Sequence, residues 1–389
     1  MVKTKALEDF YEQDVQHELL ISLAELEADY QKNIDEWKTE FISNFKKVCK
    51  NIDVMQKEGT APKASFLVYT ILRTNILHGK DTYAIFLYDH NWYLGMKPIR
   101  VGEMEVKCTY NYWRKLQSTL KEHKRKYVLN VRAYDVESIA MSMLNYYHQY
   151  IVAQMRYSIV DAISTEEFKL IEKADSFEIL AGEYYEACDQ IYKYVHEDSY
   201  ENTIKEIKSY KVSEYFARDF SGIDLRDMDL IQMDFNYSIF NNSIMSNAIM
   251  LECQFEGTKF RHSKMANVDF ANSNLYGADF SNSDLTGAIF DFCRAFSGKD
   301  AFGLLESPGY TCANFAGSIL KEASFKEAML YDVIFCDADL EDADFQGAVI
   351  TGSLFDKKHL EQVKFTEEQR KSIKIAERGI NSRQDNYTG

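Results

Sequence analysis

Every fifth residue in the C-terminal half of the chain is large and apolar, and this period constrains the fold more than any other property of the sequence. It starts at Phe220 and runs through Leu225, Leu230, Phe235, Phe240, Met245, Met250, Phe255, Phe260, Met265, Phe270, Leu275, Phe280 and Leu285 to Phe290. It resumes at Phe315 and continues through Leu320, Phe325, Leu330, Phe335, Leu340, Phe345 and Ile350 to Phe355. The position two residues earlier is mostly small, as at Ala248, Cys253, Thr258, Ser263, Ala278, Ala313, Ser318, Ala323 and Ala338. A period of five fits neither a helix at 3.6 nor a strand at 2. A fixed period is instead the mark of a repeat architecture. If each pentad makes one short extended side and one corner, four sides close a coil of about twenty residues, and coils stack at a strand spacing of roughly 4.8 Å. The large residue points to the axis and the small one fills the gap beside it. Phe220, Phe240, Phe260 and Phe280 then stand above one another, as do Phe235 and Phe255. Leu275, Phe315 and Phe335 belong to the same ladder. Fifteen pentads before the break and nine after it make about six coils, a rod roughly 29 Å long.

Ala-Asp-Phe at 278–280, Ser-Asp-Leu at 283–285, Ala-Asn-Phe at 313–315, Ala-Asp-Leu at 338–340 and Ala-Asp-Phe at 343–345 resemble the A(D/N)LXX motif of the pentapeptide-repeat family. The resemblance covers about 220–355, and earlier repeats such as Ser243-Ile244-Met245 depart from the motif. It implies a right-handed quadrilateral β-helix. Some members of the family resemble duplex DNA in shape and charge and bind type II topoisomerases, protecting them from quinolones. The resemblance therefore opens a DNA-mimic reading, although a large helical domain is not part of the usual plain rod.

The rest of the chain reads differently. Residues 12–50 place Leu19, Leu23, Leu26, Tyr30, Ile34, Trp37, Phe41, Phe45 and Val48 at steps of three and four, the mark of one long amphipathic helix. Segments near 64–78, 109–126, 134–163 and 166–197 also read as helical. Residues 83–96 read as a β-hairpin turning at His90-Asn91. The chain is thus expected to be an α+β multidomain protein. Residues 1–212 form a mainly helical domain with a small hairpin. Residues 213–358 form the β-helix, with a loop insertion at about 296–311, where Pro308, Gly298, Gly303 and Gly309 break the pattern. Residues 359–389 supply a capping helix, with Thr366 and Gln369 as its capping box, and a frayed tail. A helix is expected to cover the rod's first coil, hiding an edge that would otherwise invite aggregation.

The charged N-terminus argues against a signal peptide, and no apolar run approaches the length of a spanning helix. Seven scattered cysteines without a CxxC pair argue for free thiols in a cytoplasmic, reducing setting. The formal net charge of −16 argues against direct binding of nucleic acid and is compatible with a basic protein partner or a homo-oligomer. No phosphate loop, dinucleotide fingerprint, nucleophile elbow or zinc-protease motif is present. The eight histidines have no metal-ligand spacing. Cys253 and Cys293 take the small inward position and read as buried hydrophobes, while Cys312 and Cys336 fall outside it and are expected to be exposed. The tyrosines at 146, 147, 150, 157, 184 and 185 have helical spacing and read as core. The basic run KEHKRK at 121–126 reads first as a solvated helix face. No enzyme, metal or cofactor is expected.

Charge is the best functional clue. Residues 220–355 hold 20 acidic and 8 basic residues, so this segment carries −12 of the total −16. Two positions after each large residue the first repeats mostly place Gly, Asn or another neutral residue, and Gly and Asn tolerate positive φ at corners. In the second segment the same position reads Glu322, Glu327, Asp332, Asp337 and Asp342, with Asp339 and Asp344 beside them. Glu322 and Asp342 should share a corner one coil apart and repel. These seven carboxylates either keep the rod soluble and guard its edges, or form a surface that meets a basic or DNA-binding protein.

Overall fold

The computed structural model describes residues 2–94, 97–127, 130–184, 186–196, 202, 204, 205, 207, 215–296, 308, 309 and 311–376. The chain divides into two compact units, residues 1–172 with 180–189, and residues 173–179 with 190–389.

The first unit begins with helix α1 (Val2–Phe10), a π-helical turn (Tyr11–Val15) and helix α2 (Gln16–Lys57). The predicted stripe on α2 faces inward: Leu19, Leu26, Tyr30, Ile34, Trp37, Phe41, Phe45 and Val48 are buried, and Leu23 is half-buried. It packs against α4 (Lys107–His123) and α6 (Leu144–Ile163). Ser22 Oγ lies 2.7 Å from Tyr147 Oη, and Tyr157 Oη donates to Asp35 Oδ1 at 3.0 Å. Tyr147, Tyr150 and Tyr157 are core residues, whereas Tyr146 and Tyr184 are exposed. Tyr185 lies outside the described residues.

Four expectations for the N-terminal part of the chain need correction. The segment 64–78 is a strand, β1 (Ala64–Ile71), followed by a short helix α3 (Arg73–Leu77). The run ASFLVYTI is buried on both faces, so it has neither helical nor alternating periodicity. The hairpin is wider than expected: β2 (Thr82–Tyr88) pairs antiparallel with β3 (Ile99–Glu105) and with β1, and residues 92–94 form a 3₁₀ turn. Trp92, within a single 3₁₀ turn, packs instead on Phe66 and Tyr88, with ring centroids at 4.3 and 5.0 Å. Among the described residues of 166–197 there is one helical turn, α7 (Glu166–Leu170), and then two strands, β4 (Lys173–Glu183) and β5 (Cys188–Val195). The small β element is therefore a five-stranded sheet of order β3-β2-β1-β4-β5. The helix expected over 134–163 is two helices, α5 (Ala133–Ser142) and α6, broken at Met143. Helix α2 rests on β3 at Gly102, where a Cβ would come within 2.9 Å of Val48 Cγ2.

The second unit is a β-helix of pentads. Backbone bridges join residues twenty apart, Asp219 to Ile239, Ile239 to Lys259 and Lys259 to Asp279. Across the insertion the step becomes thirty-five, Asp279 to Asn314, and it then returns to twenty. The insertion therefore adds residues without shifting the register. Apart from Phe296, Pro308, Gly309 and Thr311, the expected loop 296–311 lies outside the described residues. Within a pentad most backbone groups find partners. Phe240 and Asn242 donate to the next coil at Lys259 O and Arg261 O, and Ser243 closes a local turn onto Phe240 O at 3.1 Å.

Phe220, Phe240, Phe260, Phe280, Phe315, Phe335 and Phe355 form one continuous stack, with neighbouring centroids 4.7–5.3 Å apart. Phe270, Phe290, Phe325 and Phe345 form a second. Phe235, Phe255 and Leu275 share a third column, and all are fully buried. Spacing of this size is that of neighbouring strands, so each column receives one large side chain per coil and the columns together fill the axis.

The first coil is met by the end of β5. Lys193 N–H donates to Ala217 O at 2.8 Å, and Asp219 N–H donates to Lys193 O at 2.9 Å. Asn202, Ile204, Lys205 and Ile207 are helical, and Ile207 is buried in the same core as Tyr215 and Phe220. The join at 208–214 lies outside the described residues.

At the other end, the single helix expected over 359–379 is two short ones, His359–Gln362 and Glu367–Ser372, followed by a strand, Lys374–Ile375, parallel to Leu354–Phe355. Between the helices Val363 and Phe365 are extended into the core, which is why the helix is interrupted. The capping box at Thr366 and Gln369 is formed. Burial pushes the His359 pKa down, so its neutral ring accepts from Asp356 N–H at 3.1 Å and donates to Ala338 O at 3.0 Å. The tail from 377 lies outside the described residues.

Candidate functional site

Each pentad contributes two outward positions that bear on function. The first follows the large residue by two. There Asn242, Asn247, Asn267, Asn272, Asn282, Glu322, Glu327, Asp332, Asp337 and Asp342 all have φ between 55° and 62°. This is the left-handed region, which costs most L-residues about 1–2 kcal/mol and favours Gly and Asn. Five carboxylates thus stand where asparagine or glycine would be easier.

Stacking at a step of twenty sorts these carboxylates into columns. Glu322 and Asp342 share the column that also carries Asp227, Asn247, Asn267 and Gly287, whereas Glu327, Asp332 and Asp337 stand in three other columns. Successive acidic repeats therefore run around the β-helix instead of forming one face. In the shared column Asn247 Nδ2 donates to Asp227 Oδ1 at 2.9 Å, and Asn267 Nδ2 donates to Asn247 Oδ1 at 3.1 Å. Carboxylates cannot continue that amide ladder. We expect Asp342→Asn to raise stability by about 0.5 kcal/mol, since it removes a like-charge neighbour and suits positive φ. A higher urea midpoint at low salt, shrinking at high salt, checks this.

The second position precedes the large residue and is the Asp or Asn of the motif. Its side chain accepts from the N–H two residues on, as at Asp234, Asp269 and Asp279, at 2.9–3.1 Å. Asp339 and Asp344 do the same toward Glu341 and Gln346. Lys321 lies 3.5 Å from Asp339 and 2.6 Å from Glu341, and Lys326 lies 3.3 Å from Asp344. These two candidate acids are turn-formers with cations nearby. Lys374 stands 4.0 Å from Asp332, which is half-buried. Glu322, Glu327, Asp337 and Asp342 are exposed, and none pairs with a described cation.

One column preceding the large residue is buried along its length: Ile239, Lys259, Asp279, Asn314, Ile334 and Leu354. Within it, Arg261 Nε donates to Asp279 Oδ2 at 2.6 Å. Burial would push the Asp279 carboxyl up, but the charges of Arg261 and Lys259 and the hydrogen bonds from Ser281 and Arg261 outweigh it, holding the pKa at about 2. Sequence reasoning missed this cluster, because nothing in the period says which outward column is covered. It also missed the work of the inward hydroxyls. Ser263 Oγ donates to Phe240 O at 2.6 Å and accepts from Ser243 N–H at 3.2 Å, tying one coil to the next.

The inward thiols are shielded. Cys253 and Cys293 are fully buried in the core, and burial pushes the Cys253 thiol up to about 12 and raises Cys293 as well. Cys336, expected exposed, is buried against Ile334 and Leu354, while Cys312 is half-buried. The basic run at 121–126 is mostly exposed, as a solvated face would be, with Lys126 Nζ and His123 Nδ1 lying 2.8 and 3.0 Å from buried Asp14. Among the described residues no group of three His, Cys, Asp or Glu side chains is placed to hold a metal, and no helix is long and apolar enough to cross a membrane.

A family model described as "Pentapeptide repeats" matches residues 253–291 and 311–347, in eight copies. Both matches lie outside the N-terminal helical region, and no curated protein matches the chain. Among solved structures, full-length QnrB1, a plasmid-mediated fluoroquinolone resistance protein, is similar at 15% identity over 42% of this chain and 93% of its own, with a TM-score of 0.20. The pentapeptide repeat protein Rfr23 from the cyanobacterium Cyanothece is similar at 16% identity over 38% of this chain and 92% of its own, with a TM-score of 0.16. At these scores the superpositions carry no argument, and the assignment rests on the repeat match and the register of the coils. Residues 253–291 and 311–347 of this chain are pentapeptide repeats.

Proposed function

We propose that the protein is a non-catalytic interaction scaffold whose β-helix presents acidic turn positions to a protein partner. The observation that carries this reading is the set of four exposed carboxylates, Glu322, Glu327, Asp337 and Asp342, held at positive φ without a described counter-ion. They cost stability and have no described internal role, which is what a surface kept for a partner looks like. Asp332, Asp339 and Asp344 complete the acidic surface. The β-helix is right-handed and quadrilateral, so the turn positions become four corner ridges. The helices after 359 cap it, and 1–212, 213–358 and 359–389 are its domains. Its place is the cytoplasm.

The test is affinity capture from a bacterial lysate. The full chain is compared with Glu322→Gln/Asp342→Asn and with Asp332→Asn/Asp337→Asn/Asp342→Asn. Loss of a partner in one or both variants is expected, and equal recovery of every partner rejects the acidic surface. A second reading, a DNA mimic that binds a type II topoisomerase or another DNA-binding protein, draws on the concentration of −12 net charges within 220–355. It expects duplex DNA and salt to abolish capture.

A further inference from the structure

We propose that a groove between α1 and α5 in the first unit docks a basic, amphipathic segment of another protein. The cavity has a volume of about 440 Å³. Its first wall is Leu7, Glu8, Tyr11 and Glu12, from α1 and the π-helical turn. Its second is Tyr134, Asp135, Ser138 and Ile139, from α5. Both sets follow the spacing i, i+1, i+4, i+5, which puts four side chains on one helix face. Each wall supplies one half-buried aliphatic residue, Leu7 or Ile139, and one exposed tyrosine, Tyr11 or Tyr134.

The charge of the groove is of one sign, with no Lys, Arg or His in its lining. Asp135 is partly committed, because its Oδ2 accepts from Arg132 N–H at 2.8 Å. Glu8 and Glu12 are exposed and pair with no described cation. One turn apart, they repel. A lysine or arginine between them would relieve that repulsion while its head met a tyrosine face, and an apolar side chain of the same segment would fill the floor between Leu7 and Ile139. A small ammonium compound would satisfy the acids but leave the apolar floor empty. The two parallel sets of contacts therefore favour a segment with both kinds of side chain.

The groove is also preformed. The π-helical turn that presents Tyr11 and Glu12 is anchored by buried Asp14, which accepts from Tyr127 Oη at 2.6 Å and from Lys126 Nζ at 2.8 Å. Phe10 packs edge-on against Tyr127, with centroids 5.3 Å apart. Walls that need no rearrangement lower the cost of binding. The site is separate from the β-helix acids and stands whether or not those bind a partner.

The test uses the full chain and a fluorescent, synthetic amphipathic helix of leucine and lysine at physiological salt. Its variants are Glu8→Gln/Glu12→Gln and Tyr134→Ser, all at exposed positions, with Glu322→Gln/Asp342→Asn as a charge-matched control. The lysine peptide should bind, each groove variant should weaken it about tenfold, and the control should change it less than about twofold. Absence of binding, equal losses in the groove and control variants, equal binding of a glutamate version of the peptide, or full displacement by an equal concentration of spermidine would each overturn the proposal.

Discussion

Replacing Phe280 with alanine should lower the stability of the β-helix by about 3–5 kcal/mol. The ring is fully buried and stacked between Phe260 and Phe315, each 4.8 Å away. It also meets Phe270 and Phe290 edge-on at 5.6 Å. Alanine would remove contacts in both directions along the axis and to two rings of a neighbouring column. Coils can close on that void only by shifting a backbone already held by bridges on either side. In a stack where each coil touches only its neighbours, a defect at the middle separates two half-rods. The loss should therefore appear as faster amide exchange at Phe260 and Phe315 as well as a lower thermal midpoint. Phe292 is the internal control. It is 54% exposed, at a φ of 59°, a conformation that disfavours bulky residues. Phe292→Asn should leave the midpoint unchanged or raise it. If both substitutions have the same small effect, the ladder is not the core.

Removing the guanidinium from Arg261 should be nearly as costly. Arg261→Met would leave the Asp279 carboxylate buried without its closest partner, a loss of about 3–5 kcal/mol. The pair also fixes a pH dependence. The folded pKa of Asp279, about 2, lies below its ordinary value of 3.8. The carboxylate therefore contributes stability that is fully present above about pH 4 and lost as pH falls toward 2. A shift of this size corresponds to about 2 kcal/mol. Asp279→Asn should be less stable at neutral pH, and its stability should fall less steeply between pH 4 and 2 than that of the unchanged protein. Urea unfolding across that range would show it. Parallel curves for the two proteins would mean that Asp279 is not ionised in its buried column.

The two units were not equally legible. In the β-helix one period carries both the inward direction and the repeat length. Phe220, Phe240, Phe260 and Phe280 could therefore be stacked on paper, and the register survives even the insertion, where Phe280 meets Phe315. The first unit offered weaker signals. Only α2, with nine apolar positions on one stripe, was long enough to read securely. β1 lies in an apolar stretch whose burial depends on neighbours distant in sequence, so no local period marks it. The candidate acids were legible both as a pattern and in their main pairing: the five-residue period already implies a coil of twenty, which puts Glu322 and Asp342 in one column, as the bridges twenty residues apart have it. The groove of Tyr11 and Tyr134 joins segments more than a hundred residues apart and leaves no trace in the sequence.

The register itself can be tested with paired cysteines under mild oxidation. Side chains in one column of adjacent coils stand at strand spacing, within the reach of a disulfide. Asn247→Cys with Asn267→Cys should form an intrachain bond, seen as a linked pair of tryptic peptides. Asn247→Cys with Asn272→Cys, in different columns, should not. Linkage in the second pair and none in the first would contradict a coil of twenty residues, and with it the placement of every acidic position described above.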